Sequence, residues 1–586
     1  MTSKIAYSLV ALACLVAAPV NAQQNNDGKT LSKEITLEKD FVPTEKKATK
    51  KNELPAVKRI APTSSKSTMT YSDWTQPVDV PTTIPTMMPY GYRTAHLFDD
   101  HRGYLNVGGG SQANFTGSFG YRIIDTEKTS LNAWLQHNST WLGHNNSPVV
   151  PTDSYDRNKQ MYNDNAVGVN YSNTMNAGTL NLGARFHLDN FNYYGGWGSY
   201  WEDTKQMFID LALNAGWAGR LTVKGQNLNY NAALSYGHGS YDKPLDDRYK
   251  SGVTEDRARL KLGATYELAT GSLAGLTLTG DYLNRRVPAY DKADKMSDDI
   301  GMITVSPFYE FANDIFNLHL GANMAISFSD GATLRFSPAV RIDITPINSF
   351  SIYALADGGK SLGYIDPAHH LNRYDHPMSF YSSSYVPLHV EGGFNVGPFT
   401  GFSARLFGGY GITKNRADVC YYATLLEHAT QRGLATDYTL VDARGAYFGG
   451  EVNYRYRSLV DFHAGLTYAP RDKEYKSHWY GGYSQGYDRA KTVANVSVNV
   501  YPIKRLGCEV GLDYRGGRAT LFNDDAIFTL VDLDDVIDLH LGANYRFDRT
   551  LTLWARVGNL LNRKWDTLYG LGAQRINVMA GINLVF

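Results

Sequence analysis

The sequence predicts an all-β protein: a large transmembrane antiparallel β-barrel of about 22 strands with a disordered N-terminal periplasmic arm. Three observations carry this prediction. Period-two segments recur along most of the chain, tight connections between them alternate with long ones, and the final segment keeps one greasy face that nothing after it covers. In that segment, Arg575 to Phe586, the residues Val578, Ala580, Ile582, Leu584 and Phe586 share one parity, and Asn577, Gly581 and Asn583 share the other. A face left uncovered packs on a second sheet or faces lipid. Strands of about 9–11 residues are what a tilted membrane crossing requires, longer than a soluble sandwich needs.

Composition agrees. The chain holds 41 Tyr and 55 Gly, only 19% of its residues are charged, and its formal net charge is +0. A barrel uses only alternate residues on its lipid face and aromatic belts at its interfaces, so a modestly negative mean hydropathy is compatible with insertion. Neutrality gives no reason to expect nucleic acid as a partner. Of the three cysteines, Cys14 lies in the leader, Cys420 in an expected loop and Cys508 on the apolar parity of a strand, so no disulfide framework follows.

Residues 1–22 read as a signal peptide: Lys4, an apolar run from Ile5 to Val20, and the small-residue pattern Val20-Asn21-Ala22 before Gln23. The protein is therefore expected in the outer membrane of a Gram-negative-type bacterium, in contact with its lipid. Residues 23–95 form a polar arm with Lys46-Lys47, Lys50-Lys51 and Lys58-Arg59, too poor in apolar residues to fold alone. Its β-prone patch, Glu34 to Glu38, has the chemistry to lend a strand to a periplasmic protein's sheet edge.

Residues 96–586 are assigned to the barrel. Early segments are Phe115, Gly117, Phe119, Tyr121 and Ile123, then Leu131, Ala133 and Leu135 after the turn Asp125 to Ser130. In the middle, Ala258, Leu260, Leu262 and Ala264 alternate with Arg257, Arg259 and Lys261. Near the end, Leu539, Leu541, Ala543 and Tyr545 lead through Asp548-Arg549-Thr550 to Leu551, Leu553, Ala555 and Val557. The long connections are Trp141 to Asp164, Gly358 to Ser384, Thr413 to Asp442 and Arg515 to Asp535. Tight turns on the periplasmic side and long loops outside are the usual asymmetry of such barrels, and an even strand count returns both barrel ends to one side.

The lumen parity carries Arg257, Arg259, Lys261, Arg335, Arg341, Arg546 and Arg556 against Asp281, Glu310, Asp343 and Asp538. Mixed signs predict ion pairs along the inner wall rather than a one-charge filter, with a local basic strip at Arg257, Arg259 and Lys261. In the loop Gly358 to Ser384, the residues His369, His370, Asp375 and His376 are of ligand type for a transition metal. A surface loop does not fix ligand geometry, so no metal, cofactor or catalytic residues are assigned. Gly108-Gly109-Gly110 opens no helix and is no phosphate loop, and Ser, His and carboxylate groups show no catalytic spacing, so no enzyme is expected.

The run Val557-Gly558-Asn559-Leu560-Leu561-Asn562-Arg563-Lys564-Trp565-Asp566, with Tyr569, Arg575 and the strand ending at Phe586, resembles the C-terminal end of TonB-dependent receptors. That resemblance implies a 22-stranded barrel, solute uptake or pore-type transport, and a TonB-like periplasmic partner reached through the arm. The arm departs from the family by lacking a plug-like pattern of strands. A wide barrel must then be filled by inward-folded loops, by the arm or by another protein. The alternative function is a plugless scaffold or docking component of an outer-membrane complex. No residue specifies the solute.

Overall fold

The computed structural model describes residues 101–142, 160–193, 205–243, 251–287, 296–328, 333–374, 383–425, 432–470, 476–477, 490–524 and 527–586. The expected signal peptide and the expected 23–95 arm, with its Glu34 to Glu38 patch and Lys pairs, lie outside the described residues, as do Asp375 and His376.

Antiparallel pairing runs from β1 (Gly103–Gly110) through β2 (Phe115–Asp125), β3 (Thr129–Leu142), β4 (Gln160–Met175), β5 (Gly178–Asn192), β6 (Lys205–Val223), β7 (Gln226–Tyr241), β8 (Thr254–Ala269) and β9 (Ser272–Val287). It continues around a ring whose last strand, Asn577–Val585, pairs back onto β1, closing a barrel of 22 strands. The expected strand count holds. At the seam Leu105 faces Leu584, and Gly103 and Phe586 exchange backbone hydrogen bonds of 2.7 and 2.9 Å. Closure satisfies every edge that hydrocarbon could not hydrate.

Parity sorts the two faces as expected. Leu234 and Leu260, on the apolar parity, are 53% and 45% exposed on the outside, while Asp210 and Glu255 on the opposite parity of neighbouring strands are fully buried inside. Further out on that external face the surface turns polar: Asp256 accepts from Tyr236 Oη at 2.7 Å and pairs with His238 at 2.8 Å. The turn Asp548-Arg549-Thr550 is held by the Asp548 carboxylate, which accepts from the backbone N–H groups of Thr550 and Leu551, each at 2.8 Å. This is an Asx-type turn, the reason an Asp suits its first position.

Three expectations are corrected. Thr413 to Asp442 is not a loop: strands Phe402–Leu425 and Arg432–Tyr456 stay paired to Leu425 opposite Arg432, so Cys420 lies in a strand. Arg515 to Asp535 also contains two strands, Arg518–Asp524 and Ile527–Leu533, and the first pairs in parallel with the extended hairpin at Cys420 and Leu521. Beyond the hydrocarbon neither face needs to be greasy, so these strands carry no period-two signal; two consecutive hairpins form them, and the parallel pairing of Cys420 with Leu521 joins the two. Gly108-Gly109-Gly110 ends β1 and, against the expectation that it opens no helix, leads directly into a single 3-10 turn, Ser111–Ala113.

Candidate functional site: a loop helix on the inner wall

The connection after strand Phe350–Ser361 turns inward. Its helix α1 (Ile365–Leu371) lies against the lumen faces of β5 to β9, with Ile365, Ala368 and His369 buried. Pro367 is tolerated because first-turn N–H groups have no intrahelical acceptor. The expectation of an ordinary surface loop is therefore corrected for residues 362–374. Local sequence hides this, since the inner wall that receives the helix is assembled from strands far away in the chain.

The wall is built for it. At the helix entrance, the buried Glu255 carboxylate takes Arg285 Nη2 at 2.6 Å and the Ile365 N–H at 3.2 Å, while Arg285 also donates to the Gly363 carbonyl at 2.8 Å. Asp210 accepts from Arg185 at 2.9 Å and from Arg257 at 2.6 Å, and Arg185 reaches on to Asp366 at 3.0 Å. Past the helix, Arg373 bridges Asp189 at 3.0 Å and Asp164 at 3.3 Å and lies 4.0 Å from the centre of the Tyr162 ring. Tyr364 hydrogen-bonds Asp281, which also holds Arg259 at 2.5 Å. Buried charges survive only when paired and hydrogen-bonded, and each of these carboxylates has a guanidinium partner.

His369 sits at the hub, 2% exposed. Its Nε2 is 3.0 Å from Asp189 Oδ2, its Nδ1 is 3.1 Å from Tyr241 Oη, and its ring stacks on Phe208 with centroids 4.0 Å apart. Burial pushes its pKa down, more than the Asp189 contact pushes it up, which keeps the imidazole neutral. His370, one residue on and half-exposed, is raised instead by its contact with Asp366. Burial would raise the Asp366 carboxyl, but the His370 contact and the Arg185 and Arg257 charges outweigh it and hold it below the usual range. Burial also pushes the Tyr364 phenol up to about 12.

Of the other inner-wall charges, Arg341 forms the expected kind of pair with Asp343 at 2.8 Å, Glu310 meets His319 at 2.9 Å, and Arg335 and Arg556 instead lie over the rings of Tyr385 and Trp554. Arg257 and Arg259 do not form a basic strip: carboxylates from neighbouring strands occupy both. Of the ligand-type residues in the loop, His370 meets Asp366 from its own helix and His187 from β5, neither of which was among the residues named from sequence. The only local signal for this set was the four-residue interval between Asp366 and His370, one helical turn.

The run from Val557 to Asp566 folds as a cap at the end of the strand Leu551–Gly558. Asn559 adopts φ 46°, its Nδ2 donates to the carbonyls of Arg563 and Gln574, and its Oδ1 accepts from the Arg563 N–H. Asn562, at φ 52°, accepts Arg575 Nε at 2.9 Å. Asn tolerates this left-handed backbone better than most residues, which accounts for both asparagines.

No protein-family model and no curated protein sequence matches the chain. Among solved structures, it is similar to a ferric enterobactin receptor of Pseudomonas aeruginosa, 13% identical, with 83% of this chain and 80% of that one covered and a TM-score of 0.62. It is also similar to the siderophore receptor PirA of Acinetobacter baumannii (10% identical, 83% and 80% covered, TM-score 0.61). A third is the ferripyoverdine receptor of the Pseudomonas aeruginosa outer membrane (11%, 83% and 72%, 0.58). At such identities the likeness is one of fold, and at that level the resemblance to TonB-dependent receptors holds.

Proposed function

We propose, from a barrel that shares its fold with TonB-dependent receptors, that this chain takes a solute up across the outer membrane. The observation that carries the reading is the helix α1 bound inside the wall of a closed 22-strand ring. A ring this wide encloses an aqueous passage unless something narrows it, and a loop folded inward and held by buried ion pairs narrows it. The mouth with the long loops faces the cell exterior and the tight turns face the periplasm. The leader at residues 1–22 delivers the chain there. A TonB-like partner engaging the arm through Glu34 to Glu38 belongs to the same reading.

The test is conductance. The purified protein in planar bilayers should show small or closed events, and replacing residues 365–371 by a Gly-Ser linker should raise the open conductance several-fold. Deleting Gln23 to Pro62 while keeping the leader should abolish energy-dependent uptake without changing the level of folded barrel. A barrel that stays sealed in both variants, yet co-purifies with a fixed set of proteins, would overturn transport in favour of the scaffold reading.

A further inference from the structure

We propose that His187, Asp366 and His370 form a binding site for a divalent first-row transition metal of the Zn²⁺, Co²⁺ and Ni²⁺ class, joining α1 to the barrel wall. Each residue offers one ligand atom, and the three atoms lie within 4.8 Å of one another. Ligand atoms around a tetrahedral ion with bonds of about 2.1 Å stand roughly 3.4 Å apart. The His187 and His370 rings stack at 4.9 Å and 22°, so binding requires the half-exposed His370 ring to turn until its in-plane lone pair converges with that of His187. Two imidazoles and one carboxylate are the donor set such ions favour, and solvent completes the coordination.

The contacts of His187 point the same way. Its Nε2 lies 3.1 Å from Asp164 Oδ1, and a ring that donates there in its neutral form carries its lone pair on Nδ1. That Nδ1 is buried and has no hydrogen-bond partner among the described residues, in a side chain that is only 1% exposed. Asp366 Oδ1 is likewise buried without a hydrogen bond, its nearest charged neighbour being His370 Nε2 at 3.4 Å. Two orphaned acceptors from separate elements in one buried cluster are costly when empty, and a cation satisfies both. An imidazole ligand backed by a carboxylate on its other nitrogen is the usual outer shell of a metal-binding histidine.

The surrounding charge permits a cation. Arg185 and Arg257 approach Asp366, but through Oδ2, at 3.0 and 3.7 Å. The carboxylates of Asp164, Asp189, Asp210, Glu255 and Asp366 outnumber the guanidinium groups of Arg185, Arg257, Arg285 and Arg373 by one. The competing arrangement is a metal-free one, in which a protonated His370 simply pairs with Asp366.

Untagged, full-length protein in detergent, stripped with a chelator and titrated with Co²⁺, distinguishes the two. The expected result is one tight equivalent with visible absorption of an imidazole–carboxylate site, displaced by Zn²⁺. His187→Gln, which keeps a donor toward Asp164 but removes Nδ1, and His370→Gln should each weaken binding at least tenfold with the heat-modifiable barrel intact. His319→Gln, at a distant His–Glu pair, should bind as the unaltered protein. Absence of a stoichiometric site, or unchanged affinity in His370→Gln, would overturn the proposal; that half-exposed residue decides the matter alone if His187→Gln does not fold. The readout is metal stoichiometry, so it stands or falls independently of transport.

Discussion

Trp554 Nε1 donates to Asn106 Oδ1 at 2.7 Å, reaching from the penultimate barrel strand across the last one to β1. The indole crosses two glycines that face each other at the seam, Gly581 on the last strand and Gly108 on β1. A Cβ on either would collide with the ring. An aromatic laid over glycine backbone is a known means of stiffening a sheet, and here it clamps the joint that closes the barrel.

That clamp makes a prediction about coupling. Gly108→Ala should sharply reduce folded barrel in a heat-modifiability assay, because a Cβ there meets the Trp554 ring first, and adding Trp554→Ala should recover part of the loss because the colliding ring is gone. The two changes are in contact, so their effects should be non-additive by about 0.5–3 kcal/mol. Additive losses would show that the ring does not occupy the space above Gly108.

Leu541 and Asn544 test the sorting of faces. Leu541 points outward, 36% exposed, whereas Asn544 lies on the lumen parity opposite Trp554. Leu541→Arg puts a cation in hydrocarbon and should cost roughly 2–4 kcal/mol in urea-driven unfolding from bilayers. Asn544→Arg should cost clearly less.

Removing Leu584 to Phe586 should leave little assembled protein in the outer membrane. Leu584 sits opposite both Leu105 and Leu551, and the Phe586 ring stacks near Phe119 and Tyr121 at 6.3 and 6.4 Å. The deletion opens the seam and strands backbone groups in lipid. Membrane fractionation followed by surface labelling reads the result.

The clamp at the entrance to α1 should behave as a buried ion pair. Arg285→Met alone leaves the Glu255 carboxylate buried without its main partner and should cost about 3–5 kcal/mol, read as a lower melting temperature or as protease cleavage between Leu362 and Tyr374. Pairing it with Glu255→Leu should recover most of that loss, because two apolar groups of similar volume leave no stranded charge.

Sequence alone determined the barrel. Period-two patterning is a local property of consecutive residues, so the parity of Val578 to Phe586 could be assigned to the lipid face before any strand was placed, whereas the partner of Leu584 across the seam, Leu105, is a finding of the structure. The asparagines at 559 and 562 were legible as a motif, although only the structure shows that both hold left-handed backbone at the cap. Tertiary structure decided what fills the mouth. Nothing in the spacing of His369 and His370 places one against Asp189 and the other beside His187, because the receiving surface is made by β5 to β9 only after the sheet has curled. The loops expected at Thr413 to Asp442 and Arg515 to Asp535 became strands for a different reason. Outside the hydrocarbon no face must be greasy, so backbone pairing of these hairpins, and the one remote pairing between Cys420 and Leu521, leaves no period-two trace in the sequence.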